Sequence, residues 1–212
     1  MPIPPTEPYP MPGPDELPAN VAGWTPDPRR AALLVHDMQR YFLASYAPAG
    51  SPLVPLMANT AELKRRCAAL GMPVIFSAQP GDQSPAERAL LRDFWGPGMS
   101  GSVQDTGFTD ELIPSAEDAV ITKWRYSAFV HTGLADLMEK FGRDQLLVCG
   151  VYTAIGCLAT ACDAFMRDIQ PFLVADATAD FSAGSHRDAL GWAARHCAVV
   201  GTTASFLRQL ET

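Results

Sequence analysis

Polar side chains that could perform acid–base or anion-binding chemistry stand at the ends of apolar runs in this sequence. Asp37 closes the run AALLVHD (31–37), and the aromatic residues Tyr41 and Phe42 follow it. Because partial removal from water raises the pKa of a carboxyl, we expect Asp37 to donate a proton near neutral pH. An N-cap of the following segment is the structural alternative. His36 should face away from Asp37, since side chains alternate along a strand, and we predict a structural role for it.

A second charged candidate is Lys123, which follows an apolar run and precedes Trp124 and Tyr126. The chain has only two other lysines, Lys64 and Lys140. A lysine beside a carboxylate can hold substrate anions and tune the acid. A surface charge at the rim of the sheet is the alternative.

The segment AQPGDQSPAERALLRDFWGPGM (78–99) supplies three more candidates. Gln79 ends an apolar run and can donate to a carboxylate or an ether oxygen. Arg88 can bind a carboxylate through two parallel hydrogen bonds, although a solvated helix arginine has the same pattern. Trp95 is the third candidate in this segment.

The segment GVYTAIGC (150–157) begins a predicted helix, where backbone N–H groups favour an anion. Tyr152, which follows the preceding apolar run, is its polar candidate. Cys157 invites a nucleophile hypothesis, because a helix start lowers the pKa of a thiol. The more frequent role of such a cysteine is that of a small buried apolar residue.

Composition excludes several classes of function. A net charge of −7 argues against nucleic acid as a partner, and no apolar run is long enough to span a membrane. The histidines show no paired metal-ligand spacing, and there is no glycine-rich nucleotide motif, so neither metal nor cofactor is expected. The proline-rich start lacks the features of a signal peptide. Five cysteines within apolar patterns are typical of reduced thiols, and we expect a cytoplasmic enzyme.

The elements that must position these residues alternate regularly. Strands are predicted at 31–37, 72–79, 119–124, 144–150, 170–176 and 197–202, and helices at 53–70, 84–95, 131–141, 155–168 and 185–196, with a short helix at the end. This order predicts a three-layer α/β/α fold with a doubly wound, six-stranded parallel sheet. Ligands of such folds bind beyond the carboxyl ends of the strands.

The first 29 residues differ from the rest, since they hold ten of the nineteen prolines. Proline is excluded from helix interiors and central strands. We therefore predict an extended N-terminal arm over residues 1–29, lying on the domain or on a partner subunit, and one α/β domain over residues 30–212. A disordered tail is the alternative.

Six segments together resemble the isochorismatase family of the cysteine-hydrolase-like superfamily. They are LLVHDMQRYF (33–42), AQPGDQS (78–84), DFWGPGM (93–99), TKWRYSAF (122–129), GRDQLLVCGVY (142–152) and DAFMRDIQPFLVADATADFS (163–182). The related amide hydrolases use an Asp, a Lys and a nucleophilic Cys, and the resemblance places Gly156 at the nucleophile position. Their Asp-x-His metal motif is also absent from SAQPG (77–81). Both differences favour the isochorismatase branch over a Cys157-dependent amidase.

The resemblance implies hydrolysis of the enol-ether bond of isochorismate or 2-amino-2-deoxyisochorismate, which releases pyruvate. Asp37 and Lys123 would be catalytic, and the binding residues would be Gln79, Arg88, Tyr152, Gly156, Phe42, Trp95 and Tyr126. Siderophore-pathway members often carry a carrier domain, whereas this sequence ends after the hydrolase domain and so resembles the phenazine-pathway enzymes. The family usually has Tyr-Ala-His-Ile-Gly at residues 152–156, where this chain has Tyr-Thr-Ala-Ile-Gly. A homodimer is implied, and a non-catalytic binding relative is a further alternative.

Overall fold

A computed structural model describes residues 3–212. Six strands form one sheet in the order β3-β2-β1-β4-β5-β6, and every neighbouring pair is parallel. The strands are β1 (Ala31–His36), β2 (Val74–Ala78), β3 (Ala119–Thr122), β4 (Gln145–Val151), β5 (Gln170–Ala179) and β6 (Val199–Gly201). The predicted six-stranded, doubly wound parallel sheet is confirmed.

Nine α-helices cover the sheet or connect its strands within residues 3–212. They are α1 (Arg40–Leu43), α2 (Leu53–Ala69), α3 (Pro85–Arg88), α4 (Leu91–Trp95), α5 (Val103–Thr106), α6 (Leu134–Lys140), α7 (Leu158–Phe165), α8 (Ala183–His196) and α9 (Thr203–Leu210). None of these helices is long and apolar enough to cross a membrane.

Both faces of the sheet are apolar, which explains why the strands appear as continuous hydrophobic runs. Leu33 and Val35 of β1 pack with α2 and α9 in one cluster. Leu34 points to the other face and packs with α6, α7 and α8 in a second cluster. The two clusters lie on opposite faces of the sheet, between the sheet and the helices that cover each face. The predicted three-layer α/β/α arrangement is therefore present.

Two predicted helices are interrupted in the structure. The helix expected over residues 84–95 splits into α3 and α4, because Ala89 has φ +46° and cannot continue a right-handed helix. The helix expected over 155–168 begins with a π-helical turn, Thr153–Cys157, and α7 then runs only to Phe165. Both interruptions lie beside the site described below.

The N-terminal arm lies along the domain in an extended conformation with one 3-10 turn, Pro14–Glu16. Tyr9 is buried, and its hydroxyl contacts His186 of α8 and the backbone of Asp180. Asn20 exchanges two hydrogen bonds with the backbone of Val200 in β6. These contacts join the start of the chain to the far half of the sheet.

The order of the strands reverses between β1 and β4. From β1 the chain moves outward through β2 to β3, and from β4 it moves the opposite way through β5 to β6. Loops that leave the two central strands therefore separate, and a crevice opens at their carboxyl ends. Asp37 follows β1 directly, and Tyr152 follows β4.

Candidate active site

One cavity at the carboxyl end of the sheet contains all nine residues that were predicted from the sequence. Its lining also includes six residues that were not among them. The full lining is Ile3, His36, Asp37, Tyr41, Phe42, Gln79, Arg88, Leu91, Trp95, Lys123, Tyr126, Val151, Tyr152, Ile155 and Gly156. The placement of the nine residues together agrees with the sequence, while their individual roles stay predictions.

Asp37 is held in an uncommon backbone conformation, with φ +50°. The N–H of Asp37 donates to the backbone oxygen of Ser77 at 3.2 Å and to the Ser77 hydroxyl at 3.1 Å. Ser77 in turn donates to Asp37 Oδ1 at 2.6 Å. A neighbouring strand thus fixes both the backbone and the carboxyl of Asp37.

A buried ion pair forms the centre of the cavity. Lys123 Nζ lies 3.0 Å from Asp37 Oδ2, and both side chains are almost fully buried. Gln79 Nε2 donates to the same oxygen at 3.0 Å. Lys123 is therefore an internal charge, and the alternative of a surface lysine at the rim of the sheet is wrong.

The expected upward shift of the Asp37 pKa is not found. Burial raises the pKa of this carboxyl. The combined lowering by Lys123, His36 and the hydrogen bonds from Ser77 and Gln79 is larger, so the net shift of the pKa is downward. The Lys123 charge and the two hydrogen bonds are the main causes, because His36 is neutral at neutral pH, as shown below. The sequence reveals the burial of Asp37 but not the partners that oppose its effect.

Arg88 extends this polar network instead of facing solvent. Its Nη1 donates to Gln79 Oε1 at 3.2 Å, and its Nε donates to the Gly96 carbonyl at 3.2 Å. Gln79 thereby connects Arg88 to Asp37. The side chain of Arg88 is buried, so the solvated-arginine alternative is wrong.

Gln39 was missed by sequence reasoning, although it determines the position of Gln79. Its amide donates to the Gln79 carbonyl at 2.9 Å, and its oxygen accepts from the Gln79 N–H at 2.8 Å. Gln39 is fully buried. The only sequence signal for Gln39 was a polar residue two positions after Asp37. Ser77 was missed as well, and its only signal was a hydroxyl inside an apolar run.

Aromatic side chains form the other wall of the cavity. Trp95 Nε1 donates to the Tyr126 hydroxyl at 2.7 Å, which joins α4 to the segment after β3. Phe181, which the sequence did not indicate and which is not itself a lining residue, stacks on Tyr152 with ring centroids 4.1 Å apart, and its centroid lies 6.0 Å from that of Trp95. Phe42 meets Tyr152 edge to face. This wall suits a flat, unsaturated ring.

Tyr152 contributes its ring more than its hydroxyl. The hydroxyl donates to the Phe42 carbonyl at 2.7 Å and lies 3.1 Å from the Ser45 hydroxyl. These contacts engage the only polar atom of this side chain, which belongs to a residue predicted to bind the substrate. In this structure Tyr152 is therefore an aromatic surface of the cavity.

His36 does not face away from Asp37, in contrast to the prediction. Both side chains line the cavity, and His36 Nδ1 lies 3.9 Å from Asp37 Oδ2. The left-handed conformation of Asp37 breaks the alternation on which the prediction rested. Burial lowers the pKa of His36 to about 4, and the Asp37 carboxylate offsets this effect only in part.

Gly156 and His36 occupy adjoining space. A Cβ atom on residue 156 would lie 2.2 Å from Cε1 of the His36 ring and 2.8 Å from its Nε2. No real Cβ atom approaches other atoms that closely. The imidazole thus fills the place where a side chain of residue 156 would begin.

Cys157 lies outside the cavity. It is fully buried in the second core cluster, on the α6–α8 side of the sheet. Burial, its largest influence, raises the pKa of its thiol well above the ordinary value. The hypothesis of a nucleophilic Cys157 is therefore wrong for this structure. Within residues 3–212, no group of three or more potential metal ligands comes together.

Comparisons with known proteins show the family to which the chain is similar. The family pattern "Isochorismatase domain" matches residues 31–205. The chain is 51% identical to the isochorismatase of Bacillus subtilis over 211 residues, which are 100% of this chain and 68% of that protein. It is 51% identical to the phenazine biosynthesis protein PhzD1 of Pseudomonas aeruginosa over 205 residues, 97% of this chain and 98% of that one.

A solved structure gives the same result for the fold. A cysteine hydrolase from Pseudomonas syringae superposes with a TM-score of 0.79 at 25% identity, covering 89% of this chain and 95% of the other. The parallel sheet, with a buried acid and lysine at its switch point, defines a hydrolase of the cysteine-hydrolase-like class. Within that class, the chain belongs to the isochorismatase family.

Proposed function

We propose that this protein hydrolyses the enol-ether bond of isochorismate or 2-amino-2-deoxyisochorismate and releases pyruvate, in biosynthesis of the phenazine or siderophore type. The observation that carries the proposal is a buried acid, Asp37, in a cavity whose described lining holds two cations, Lys123 and Arg88, and no cysteine, serine or threonine. Enol-ether hydrolysis needs a proton donor and water, but no nucleophilic side chain.

Charge complementarity supports a dicarboxylate substrate. Lys123 and Arg88 line the cavity, and Asp37 is the only carboxylate in its described lining. A bound substrate carboxylate shares the Lys123 ammonium with Asp37 and adds negative charge beside it. Both effects raise the pKa of Asp37, so the carboxyl gains its proton when the substrate binds.

The reaction then proceeds without a covalent enzyme intermediate. Asp37 protonates the terminal methylene carbon of the enolpyruvyl group, which gives an oxocarbenium ion. Water attacks this ion, and the hemiketal collapses to pyruvate and the ring alcohol. Phe42, Trp95 and Tyr126 enclose the ring. Gln79, Arg88 and Lys123 hold the polar groups of the substrate. This positioning and charge complementarity supplies the part of the rate acceleration that proton donation by Asp37 does not.

The decisive experiment combines heavy water with two substrates. Purified protein is given isochorismate and 2-amino-2-deoxyisochorismate in separate reactions, and the pyruvate is analysed by mass spectrometry. We expect one solvent deuterium in the pyruvate methyl group, after subtraction of later exchange. Pyruvate without deuterium would refute protonation at carbon, and absence of pyruvate from both substrates would refute the proposed reaction. The faster substrate identifies the pathway.

Two alternatives are tested in the same assay. A Cys157→Ala variant should retain turnover; its loss in a folded variant would revive the amidase hypothesis. A non-catalytic binding relative would bind one of the two substrates without releasing pyruvate. The buried Asp37–Lys123 pair favours catalysis over this alternative.

The proposal also includes a cytoplasmic location and a homodimeric state. All five cysteines are free thiols, which favours the reducing cytoplasm. The expected homodimer stays a prediction, which analytical ultracentrifugation of the purified protein would test.

A further inference from the structure

One residue of the N-terminal arm, Ile3, lines the active-site cavity together with Asp37 and Lys123. Within residues 3–29 it is the only residue that does so. Its side chain is half-buried and packs against the core cluster on the α2 and α9 side of the sheet, to which the cavity residue Phe42 also belongs. The arm therefore contributes an aliphatic surface to a cavity whose other residues come from the α/β domain.

Two anchors fix the arm close to this point. The Thr6 N–H donates to the Ser45 carbonyl at 2.7 Å, and the Tyr9 N–H donates to the Ser51 carbonyl at 3.2 Å. The side chains of Thr6 and Tyr9 are both buried. The segment that carries Ile3 is thus held against the domain by backbone hydrogen bonds within three residues of Ile3.

The first anchor is also connected to the aromatic wall of the cavity. The Ser45 hydroxyl donates to the Phe42 carbonyl at 3.0 Å and lies 3.1 Å from the Tyr152 hydroxyl. The Thr6 hydroxyl lies 3.5 Å from the same Ser45 hydroxyl. One serine thereby joins the arm to the two aromatic residues that line the cavity, and the arm and this wall are positioned together.

The chemistry of Ile3 suits contact with a bound ligand. The exposed part of an aliphatic side chain gains free energy when a ligand covers it. A ligand in contact with Ile3 also displaces water from the cavity, which strengthens the attraction of Lys123 and Arg88 for carboxylates. Isoleucine has no polar group that could compete with the substrate for these two cations.

We propose that Ile3 is a substrate-binding residue, which packs against the bound dicarboxylate and completes the enclosure of the cavity. The identity of the ligand rests on the function proposed above. Ile3 takes no part in proton transfer. Its contact with the substrate is the same before and during the reaction, so its loss should raise KM and leave kcat nearly constant.

The kinetic test is the variant Ile3→Ala, which removes most of the aliphatic surface. We expect KM to rise about tenfold with little change in kcat. Ile3→Val keeps most of the surface and should restore KM to within about twofold of the wild-type value. The matched control is Met11→Ala, because Met11 belongs to the same arm and packs against the same cluster but does not line the cavity. Its KM should equal that of the wild type.

A second test measures contact with the ligand directly. Ile3→Cys is combined with Asp37→Asn, which slows consumption of the substrate, and the introduced thiol is labelled with a maleimide. Labelling should be slowed several-fold by saturating isochorismate or, in a separate reaction, by its 2-amino analogue. The control is Val21→Cys on the same arm, where Val21 is 77% exposed and outside the cavity lining. Peptide mapping separates both labels from the label on Cys162, the one native thiol that is not buried.

Three results would overturn the inference. They are a folded Ile3→Ala variant with the wild-type KM, an equal rise of KM in Met11→Ala, and a labelling rate at residue 3 that neither substrate changes. The second result would assign the effect to the attachment of the arm as a whole. If the wild-type protein released no pyruvate from either substrate, the proposed function itself would fail. The labelling rate would still report whether a ligand covers residue 3, so the two failures are distinguishable.

Discussion

Two buried carboxyls follow the carboxyl ends of β1 and β5, and their surroundings differ. Asp37, after β1, faces Lys123 at 3.0 Å and lines the cavity. Asp180, after β5, has no cation within salt-bridge distance among residues 3–212 and accepts only from the backbone N–H groups of Ala154 at 2.5 Å and Phe181 at 2.8 Å. The pKa of Asp37 is lowered, whereas burial raises the pKa of Asp180 despite those two hydrogen bonds.

This difference shows that burial alone does not set the direction in which the pKa of a carboxyl shifts. Both residues are nearly inaccessible, at 3% and 2% exposure. Asp180 uses its oxygens to hold Ala154 of the π-helical turn and Phe181, which stacks on the cavity residue Tyr152, so we expect it to position the wall of the cavity. Asp37 has an ionic partner that an anionic substrate can share, so its protonation can respond to binding.

Replacement of each carboxyl by its amide should separate the two roles, and this is the largest effect we expect. Asp37→Asn removes the proton donor and should lower kcat by at least roughly 10²–10⁴-fold. Asp180→Asn keeps an oxygen for one backbone N–H and should lower kcat about tenfold or less, the equivalent of one lost hydrogen bond of about 1.5 kcal/mol. Steady-state assays of pyruvate release measure both changes.

The control for this comparison is the thermal unfolding of the two variants, since only folded protein is informative. Equal losses of kcat in two folded variants would show that Asp180 also takes part in proton transfer. The contrast between the two strand ends would then be incorrect.

The sequence predicts much of this arrangement because the relevant signals are local. Apolar runs followed by Asp37, Gln79 and Lys123 mark strand ends, and parallel strands bring those ends to one edge. Arg88 was a candidate because of its guanidinium, and the resemblance added Gly156. All of these residues line one cavity.

The remaining features depend on partners distant in sequence and on backbone conformation. Ser77 and Gln39 act through hydrogen bonds across the neighbouring strand, and no periodic pattern reports them. The orientation of His36 follows from the left-handed φ of Asp37, a conformation that a non-glycine residue rarely adopts. The direction of the Asp37 pKa shift likewise required the distances to its partners.

The pH dependence of catalysis should sharpen the contrast further. Since the pKa of Asp37 is lowered in the free protein, kcat/KM should fall about tenfold for each pH unit above roughly pH 5, where the substrate is fully ionised. In the complex the substrate charge raises this pKa, so kcat should stay constant to higher pH than kcat/KM. A kcat/KM that is constant to pH 7 would show that Asp37 keeps its proton in the free protein. Its pKa would then be raised by burial, as the pKa of Asp180 is.

The smallest effect concerns stability, where the two carboxyls should act with opposite signs. The folded pKa of Asp37 is below its unfolded value of about 3.9, so its contribution is complete above pH 4 and is lost as the pH falls through the folded pKa. The folded pKa of Asp180 is above that value, so the native state retains a proton that the unfolded chain releases, and stability falls as the pH rises from about 4 to the folded pKa.

Urea unfolding of both amide variants from pH 3 to pH 7 measures these contributions, with about 1.4 kcal/mol expected for each unit of difference between folded and unfolded pKa. Relative to wild type, Asp180→Asn should gain stability as the pH rises above 4. Asp37→Asn should lose relative stability as the pH rises toward 4, because the wild type alone then regains its ion pair with Lys123. Parallel curves for the two variants would mean that Lys123 does not set the pKa of Asp37, and the site would then contain two carboxyls governed by burial alone.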